Sequence, residues 1–282
     1  MTLFRTIWDR LNSHESLDLA AQVSFYFVLS LFPFLIVLAS LLGWLPTTTR
    51  WDSFSDWLTT YFPQQAKNTV LATMLELSRG YTRFLSFGLL ATIWSASSGF
   101  MSLMDALSIA YGVKDGRNYV KRRAIAIGAT LVAAVFVLTS FVLWNVGHLA
   151  AVFIVSDLKH LVLFQMQWRF IRWVAILGLM CIGIDLVNYF LPAARRRWKW
   201  ITPGTMFVVL AFVGGTFLLN VYLRFGTNIP KVYGTLAGFI VLLLWVYLAN
   251  LILLIGAETD TALQELHLPG PMRPVRPEGA AA

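Results

Sequence analysis

LAGFIVLLLWVYLANLILLI, residues 236–255, runs for 20 residues without a charged side chain. A helix rises about 1.5 Å per residue, so roughly 20 apolar residues cross about 30 Å of hydrocarbon. This stretch is therefore predicted to span a membrane. Working outward from it, comparable runs lie at about 20–44, 84–104, 124–144, 171–191 and 203–223, and the quoted one fills a span of about 234–256. The expected fold class is all-α: a polytopic membrane protein with six transmembrane helices.

Composition supports that reading. Hydrophobic residues make up 58% of the chain and charged residues 13%, against about 25% charged in a soluble domain. Helices this apolar need one shared bundle, so 282 residues imply a single membrane domain rather than two soluble ones. The net charge of +8 could suggest nucleic acid, but the basic residues gather in short loops between spans, which is a signature of topology. The lone Cys181 leaves no intrachain disulfide and no cysteine metal cluster, and reads as a small packing residue. The first apolar run, about 23–44, exceeds the length of a signal-peptide core and has no small-residue cleavage pattern after it, so it reads as a retained span.

The chain divides into a cytoplasmic amphipathic segment (1–18), a membrane domain (19–258) and a proline-rich cytoplasmic tail (259–282) expected to be disordered. In the first, Leu3, Phe4, Ile7, Trp8 and Leu11 share a helical face, opposite Arg5, Asp9, Arg10 and Asn12. Pro33 should kink the first span. The connection 45–83 places Val70, Leu71, Met74, Leu75 and Leu77 at spacings that suit a second amphipathic helix lying on the membrane. Small residues at 95–99 suit close helix approach in lipid. The third apolar pattern continues to Val155 past Asn145, Gly147 and His148, as an over-long or broken helix would. Pro203 suits a helix start.

Lys114, Arg117, Lys121, Arg122 and Arg123 follow the second span, and Arg195, Arg196, Arg197 and Lys199 follow the fourth. The positive-inside rule makes these loops and both termini cytoplasmic, and turns 45–83 outward. The two halves of the chain do not align convincingly as inverted repeats.

Ionisable and amide groups in or beside apolar spans are the candidate functional residues, because burying charge in lipid is costly. Asp185 is the deepest carboxylate, with Asn188 on its face; Asp105 and Glu258 close spans, and Asp18 with Gln22 opens the first. Arg117, Arg122 and Arg123 join them on the cytoplasmic side, while Asn220 and Arg224 lie at the outer end of the fifth span. One reading is a charged, hydrated path for a polar head group or ion; the other is structural ion pairing and phosphate contact at helix ends. No catalytic or metal-ligating set is expected, and His148 has no acid at helical spacing. There is no phosphate-binding glycine loop, no G-x-S-x-G and no H-E-x-x-H, so the chain is expected not to be an enzyme and to need no cofactor.

Particular residues resemble the YihY/BrkB family of bacterial inner-membrane proteins. AAQVSFYFVLSLFPFLIVLASLLG (20–43) resembles its A-x-x-x-x-F-Y-x-x-x-S-x-x-P signature. IWSASSGFMSLMDALSIAYGVKDGRNYVKRR (93–123), TPGTM (202–206) and VYGTLAGFIVLLLWVYLANLILLIGAETDTAL (232–263) match further segments in order, with Ser108 where the family pattern has asparagine. The resemblance implies six spans in the inner membrane. It also implies a transporter, since one branch is linked to export of lipid or lipopolysaccharide precursors and another to resistance to serum killing. Some members carry a ribonuclease label, which this sequence disfavours, since the longest soluble connection faces away from RNA. The function expected is transport of a lipid or lipid-linked envelope precursor. The alternative is a non-transporting scaffold for envelope integrity. Membrane lipids are the expected partners, with envelope proteins or further copies of the chain compatible and nucleic acid not.

Overall fold

The computed structural model describes the backbone over 3–42, 63–64, 67–72, 85–154, 158–194, 201–225 and 236–267, and side chains over 5–31, 63–64, 67–72, 90–140, 143, 170–194, 201–223 and 237–264. Its helices are α1 (Leu3–Ser13), α2 (Ser16–Leu42), α3 (Leu85–Ala110), α4 (Tyr119–Ile154), α5 (Leu158–Phe190), α6 (Pro203–Phe225) and α7 (Leu236–His267). Four described stretches are long and apolar enough to cross a membrane: Tyr119–Ser140, Phe170–Phe190, Pro203–Leu223 and Ala237–Gln264. The described part of α2, Ser16–Leu31, is apolar but shorter. Most of the first connection, the four arginines and lysines at 195–199, His148's side chain and the tail from 268 lie outside the described residues.

Local chemistry sets the helix ends. α1 turns into α2 through Glu15, whose φ of 50° lies in the left-handed region. α3 stops at Gly112 (φ 65°), with Val113 N–H donating to Ser108 O at 2.9 Å and Gly112 N–H to Ile109 O at 2.8 Å. These are the paired bonds of a Schellman cap, and glycine takes the left-handed position without a Cβ clash. Asn118 caps α4, its Oδ1 accepting from Lys121 N–H at 2.9 Å. Thr202 caps α6, accepting from Thr205 N–H at 3.1 Å, with Pro203 in the first turn.

Several helices outrun their predicted spans. α5 begins at Leu158 rather than near 171, and α7 continues to His267, past the expected end of the membrane domain at 258. α4 is one helix of 36 residues, about 54 Å at 1.5 Å per residue, so the polar residues near its end do not break it.

The long helices close a ring. α2 packs on α3, α3 on α4, α4 on α5, α5 on α6, α6 on α7, and α7 back on α2, while α1 lies against α7 and α2. α7 also reaches α3 across the ring. The core there joins Ala20 and Val23 of α2, Leu103, Met104 and Leu107 of α3, and Leu254 and Ala257 of α7, all essentially buried. Gly99 lets Phe27 pack within 3.3 Å of where a Cβ would stand. Asn250 of α7 donates to Ser24 Oγ of α2 at 3.0 Å, a buried polar tie inside the apolar seam. The outer surfaces carry exposed apolar side chains: Val135 and Leu138 on α4, Phe170 and Val174 on α5, and Leu210 and Phe217 on α6. With Leu210 68% exposed, these faces would be costly in water and suit hydrocarbon.

Candidate functional site

Among the described residues, the ion pairs and most of the buried charged side chains gather at one end of the ring, where α3, α5 and α7 end and α2, α4 and α6 begin. Glu258, fully buried on α7, accepts from Arg10 Nε at 2.7 Å and contacts His14 Nδ1 at 2.6 Å. Arg10 Nη2 also donates to Ala110 O at 2.9 Å, so α1 clamps the ends of α7 and α3 together.

The α3–α4 turn holds a second cluster. Arg117 grips Asp115 with Nε at 2.9 Å and Nη2 at 2.8 Å, and reaches Leu191 O at 2.6 Å. Arg122 bridges Asp105 at 2.5 Å and Asp115 at 3.5 Å. Ser108 Oγ accepts from Ala193 N–H at 3.3 Å, tying α3 to the chain leaving α5. Burial raises the Asp115 carboxyl, but hydrogen bonds from Arg117 and the charges of Arg117 and Arg122 outweigh it, holding the group below its ordinary 3.8. A carboxyl lowered on folding adds stability that is complete above its unfolded value and lost as pH falls through the folded one. Asp115→Asn is therefore expected to lower stability at neutral pH and flatten the unfolding profile below pH 3.8, measured by thermal unfolding across an acid series.

Arg123 is buried against Trp94. Its guanidinium carbon lies 3.8 Å from the ring centroid, Nη2 donates to Trp94 O at 3.1 Å and Nη1 to Ser98 Oγ at 3.0 Å. This cation–π contact fixes the start of α4 on α3.

A fourth group joins α5, α6 and α7. Asp260 accepts from Gly204 N–H at 2.8 Å and from Thr202 Oγ1 at 2.6 Å, placing a carboxylate at the N-terminus of α6. Thr202 Oγ1 and Thr205 Oγ1 are 2.9 Å apart, and Thr205 Oγ1 contacts Asp185 Oδ1. All four side chains are buried, as is Asn188 one turn along α5.

Of the candidates read from sequence, Asp105, Arg117 and Arg122 come together, Arg123 stands beside them, and Asp185 and Glu258 sit in separate networks. Asp18 and Gln22 are exposed on α2. Asn220 Nδ2 donates to Thr216 O of its own helix at 2.9 Å. Arg224 lies in the last turn of α6, its side chain outside the described residues. Sequence reading missed Arg10, His14, Asp115, Thr202, Thr205 and Asp260. Thr-Pro-Gly-Thr at 202–205 was a legible cap signal; the identity of its acidic partner was not.

A cavity of about 710 Å³ opens between α4 and α5. Ile125, Gly128, Ala129, Val132, Ala133 and Phe136 form one wall, and Ile176, Met180, Gly183, Ile184 and Val187 the other. Phe190 and Leu191 also line it, Ser140 is its polar lining side chain, and none of the sequence candidates lines it. The charged groups thus pair beside an apolar groove rather than lining it.

With its described elements all helical, four of them long and apolar enough to cross a bilayer and their outer faces suited to lipid, the chain is a multi-pass membrane protein. The chain belongs to the Virulence factor BrkB family, whose profile matches residues 7–277. It is 28% identical over 271 residues to the ribonuclease-like protein YfkH of Bacillus subtilis, covering 94% of this chain and 96% of that protein. It is 24% identical over 272 residues to a UPF0761 membrane protein of Stenotrophomonas maltophilia, and 25% over 281 residues to one of Janthinobacterium. These alignments cover 92% and 93% of this chain but 60% and 59% of those proteins. No solved structure matches the chain.

Proposed function

We propose that this chain is a six-span inner-membrane transporter that binds an amphipathic molecule, a lipid or lipid-linked envelope precursor, in the groove between α4 and α5. The single observation behind this reading is the placement of that groove. Its apolar walls are shaped for acyl chains, and its end at Ile125 and Leu191 adjoins Lys121, Arg122 and Arg117. Hydrocarbon takes the tail, and the basic turn takes an anionic head group. Positive-inside topology puts that turn, and both termini, in the cytoplasm. The reading requires no covalent chemistry.

Gly128 gives a clean test. It lines the groove, and a Cβ there would meet nothing within 4 Å. Gly128→Phe is expected to project its ring into the groove and cut copurifying lipid several-fold, read by mass spectrometry of the purified protein, and to slow labelled-lipid transfer in vesicles. Unchanged lipid and transfer would sink the transport reading. The scaffold would then be favoured by the Arg10–Glu258 and Arg122–Asp105 pairs, which tie the polar end shut.

A further inference from the structure

On the transport reading of the groove, we propose that its ligand is a monoacyl phospholipid, with one chain and a free hydroxyl beside the phosphate, and that Asn188 binds that hydroxyl. Asn188 lies on α5, 2% exposed, and neither its Oδ1 nor its Nδ2 has a hydrogen-bond partner among the described residues. An amide unpaired at both ends is costly in an interior, and native proteins keep few of them. Whatever pairs it must accept from Nδ2 and donate to Oδ1. A hydroxyl does both, whereas an ester carbonyl only accepts.

Position ties this amide to the groove. Ile184 and Leu191, one turn to either side on the same face of α5, line the groove, and so does Val187. Asn188 itself does not line it; entry of the lipid parts these side chains and brings the hydroxyl to the amide. Leu191 O receives Arg117 Nη2 at 2.6 Å. Asn188 lies three residues further from the basic turn, about 4.5 Å at 1.5 Å per residue. That is the level of a carbon next to a phosphate held at the turn. Lys121 is placed to hold it, one turn before the groove residue Ile125 and on the same face of α4. Arg117 and Arg122 pair with Asp115 and Asp105, whereas Lys121 is exposed and has no acid partner among the described residues.

The size of the groove favours one chain. A methylene group fills about as much space as a water molecule, about 30 Å³, so a sixteen-carbon chain needs about 480 Å³ and a pair about 960 Å³. The groove offers about 710 Å³. Phe136 of α4, packed 3.4 Å from where a Cβ on Gly183 of α5 would stand, bounds it between the two helices. A diacyl lipid would leave its second chain in the bilayer, and its second ester takes the place of the hydroxyl. A monoacyl phospholipid satisfies the volume and the amide together.

Titration of the full chain in non-ionic detergent, read by the shift in thermal-unfolding midpoint, tests this with three probes. They are palmitoyl lysophosphatidylglycerol, its analogue with hydrogen in place of the hydroxyl beside the phosphate, and dipalmitoyl phosphatidylglycerol. Wild type is expected to bind the first several-fold more tightly than the other two. Asn188→Leu should bind the first two alike, and Lys121→Gln should weaken both while keeping the preference. Without lipid, Asn188→Leu should melt no lower than wild type, because it gives up no bond. Should that variant not fold, Asn188→Ala carries the same lipid comparison. Equal binding of the first two probes by wild type, a preference that survives at position 188, tighter binding of the two-chain lipid, or a lower lipid-free melting point in Asn188→Leu overturns the assignment. Gly128→Phe is read beside them: undiminished binding there sinks the groove reading instead, so the two failures are distinguishable.

Discussion

Gly204→Ala is expected to strip the bundle of most of its stability. A Cβ on Gly204 would stand 2.6 Å from Asp260 Cγ and 2.8 Å from Oδ1, and would also run into the backbone carbonyl of Gly256. A carbonyl in a helix cannot swing aside as a long side chain can. α6 and α7 must separate, and Asp260 then loses Gly204 N–H and the Thr202 hydroxyl together. Overpacking alone costs roughly 1–3 kcal/mol, occasionally more, and the lost buried bonds add about 1–3 kcal/mol each. Gly256→Ala meets Val208 Cγ2 and comes within 3.0 Å of Gly204 O. Val208→Ala should therefore relieve Gly256→Ala in part and leave Gly204→Ala unrelieved. Thermal unfolding in detergent, with gel-filtration yield, reads all of these. A Gly204→Ala protein melting like wild type would show that α6 and α7 are not this close.

Arg10→Ala has the second large effect. It leaves the fully buried Glu258 with His14 as its remaining side-chain contact among the described residues, and takes away the bond to Ala110 O. Breaking a buried pair from one side costs about 3–5 kcal/mol. Glu258→Gln, which keeps the shape and a hydrogen-bonding oxygen, should cost less, and joined to Arg10→Ala it should recover part of the loss. Hydrogen exchange across α1 is the sharper readout: in Arg10→Ala the helix should lose protection while α3 and α7 keep theirs. Equal protection in mutant and wild type would remove the clamp from the account.

The sequence makes the spanning helices legible where lipid demands one composition over a fixed length, as at 236–255. It is less informative about what faces inward. Along α2, Ser24 is buried while Phe25 and Leu29 are 57% and 49% exposed. In water that arrangement would be inverted. In hydrocarbon the tails solvate Phe and Leu as well as a protein interior does, so hydrophobicity ceases to distinguish the faces and small polar residues take the seam. This is why Asp18 and Gln22 read as candidates yet lie exposed on α2. It is also why Asp260 was passed over: its partners Thr202 and Gly204 are 58 and 56 positions away, beyond any local pattern. Glu258 and Asp185 stood out by charge alone, but their partners are set by the closing of the ring.

The clamp at Arg10 has a consequence for biogenesis. Its acceptor Glu258 is translated 248 positions later, so the first helix can rest on α2 early but cannot close the clamp until α7 has been made. Closure of the Arg10–Glu258 pair is thus a late step of assembly, and it reports that the first and last of the described helices have met.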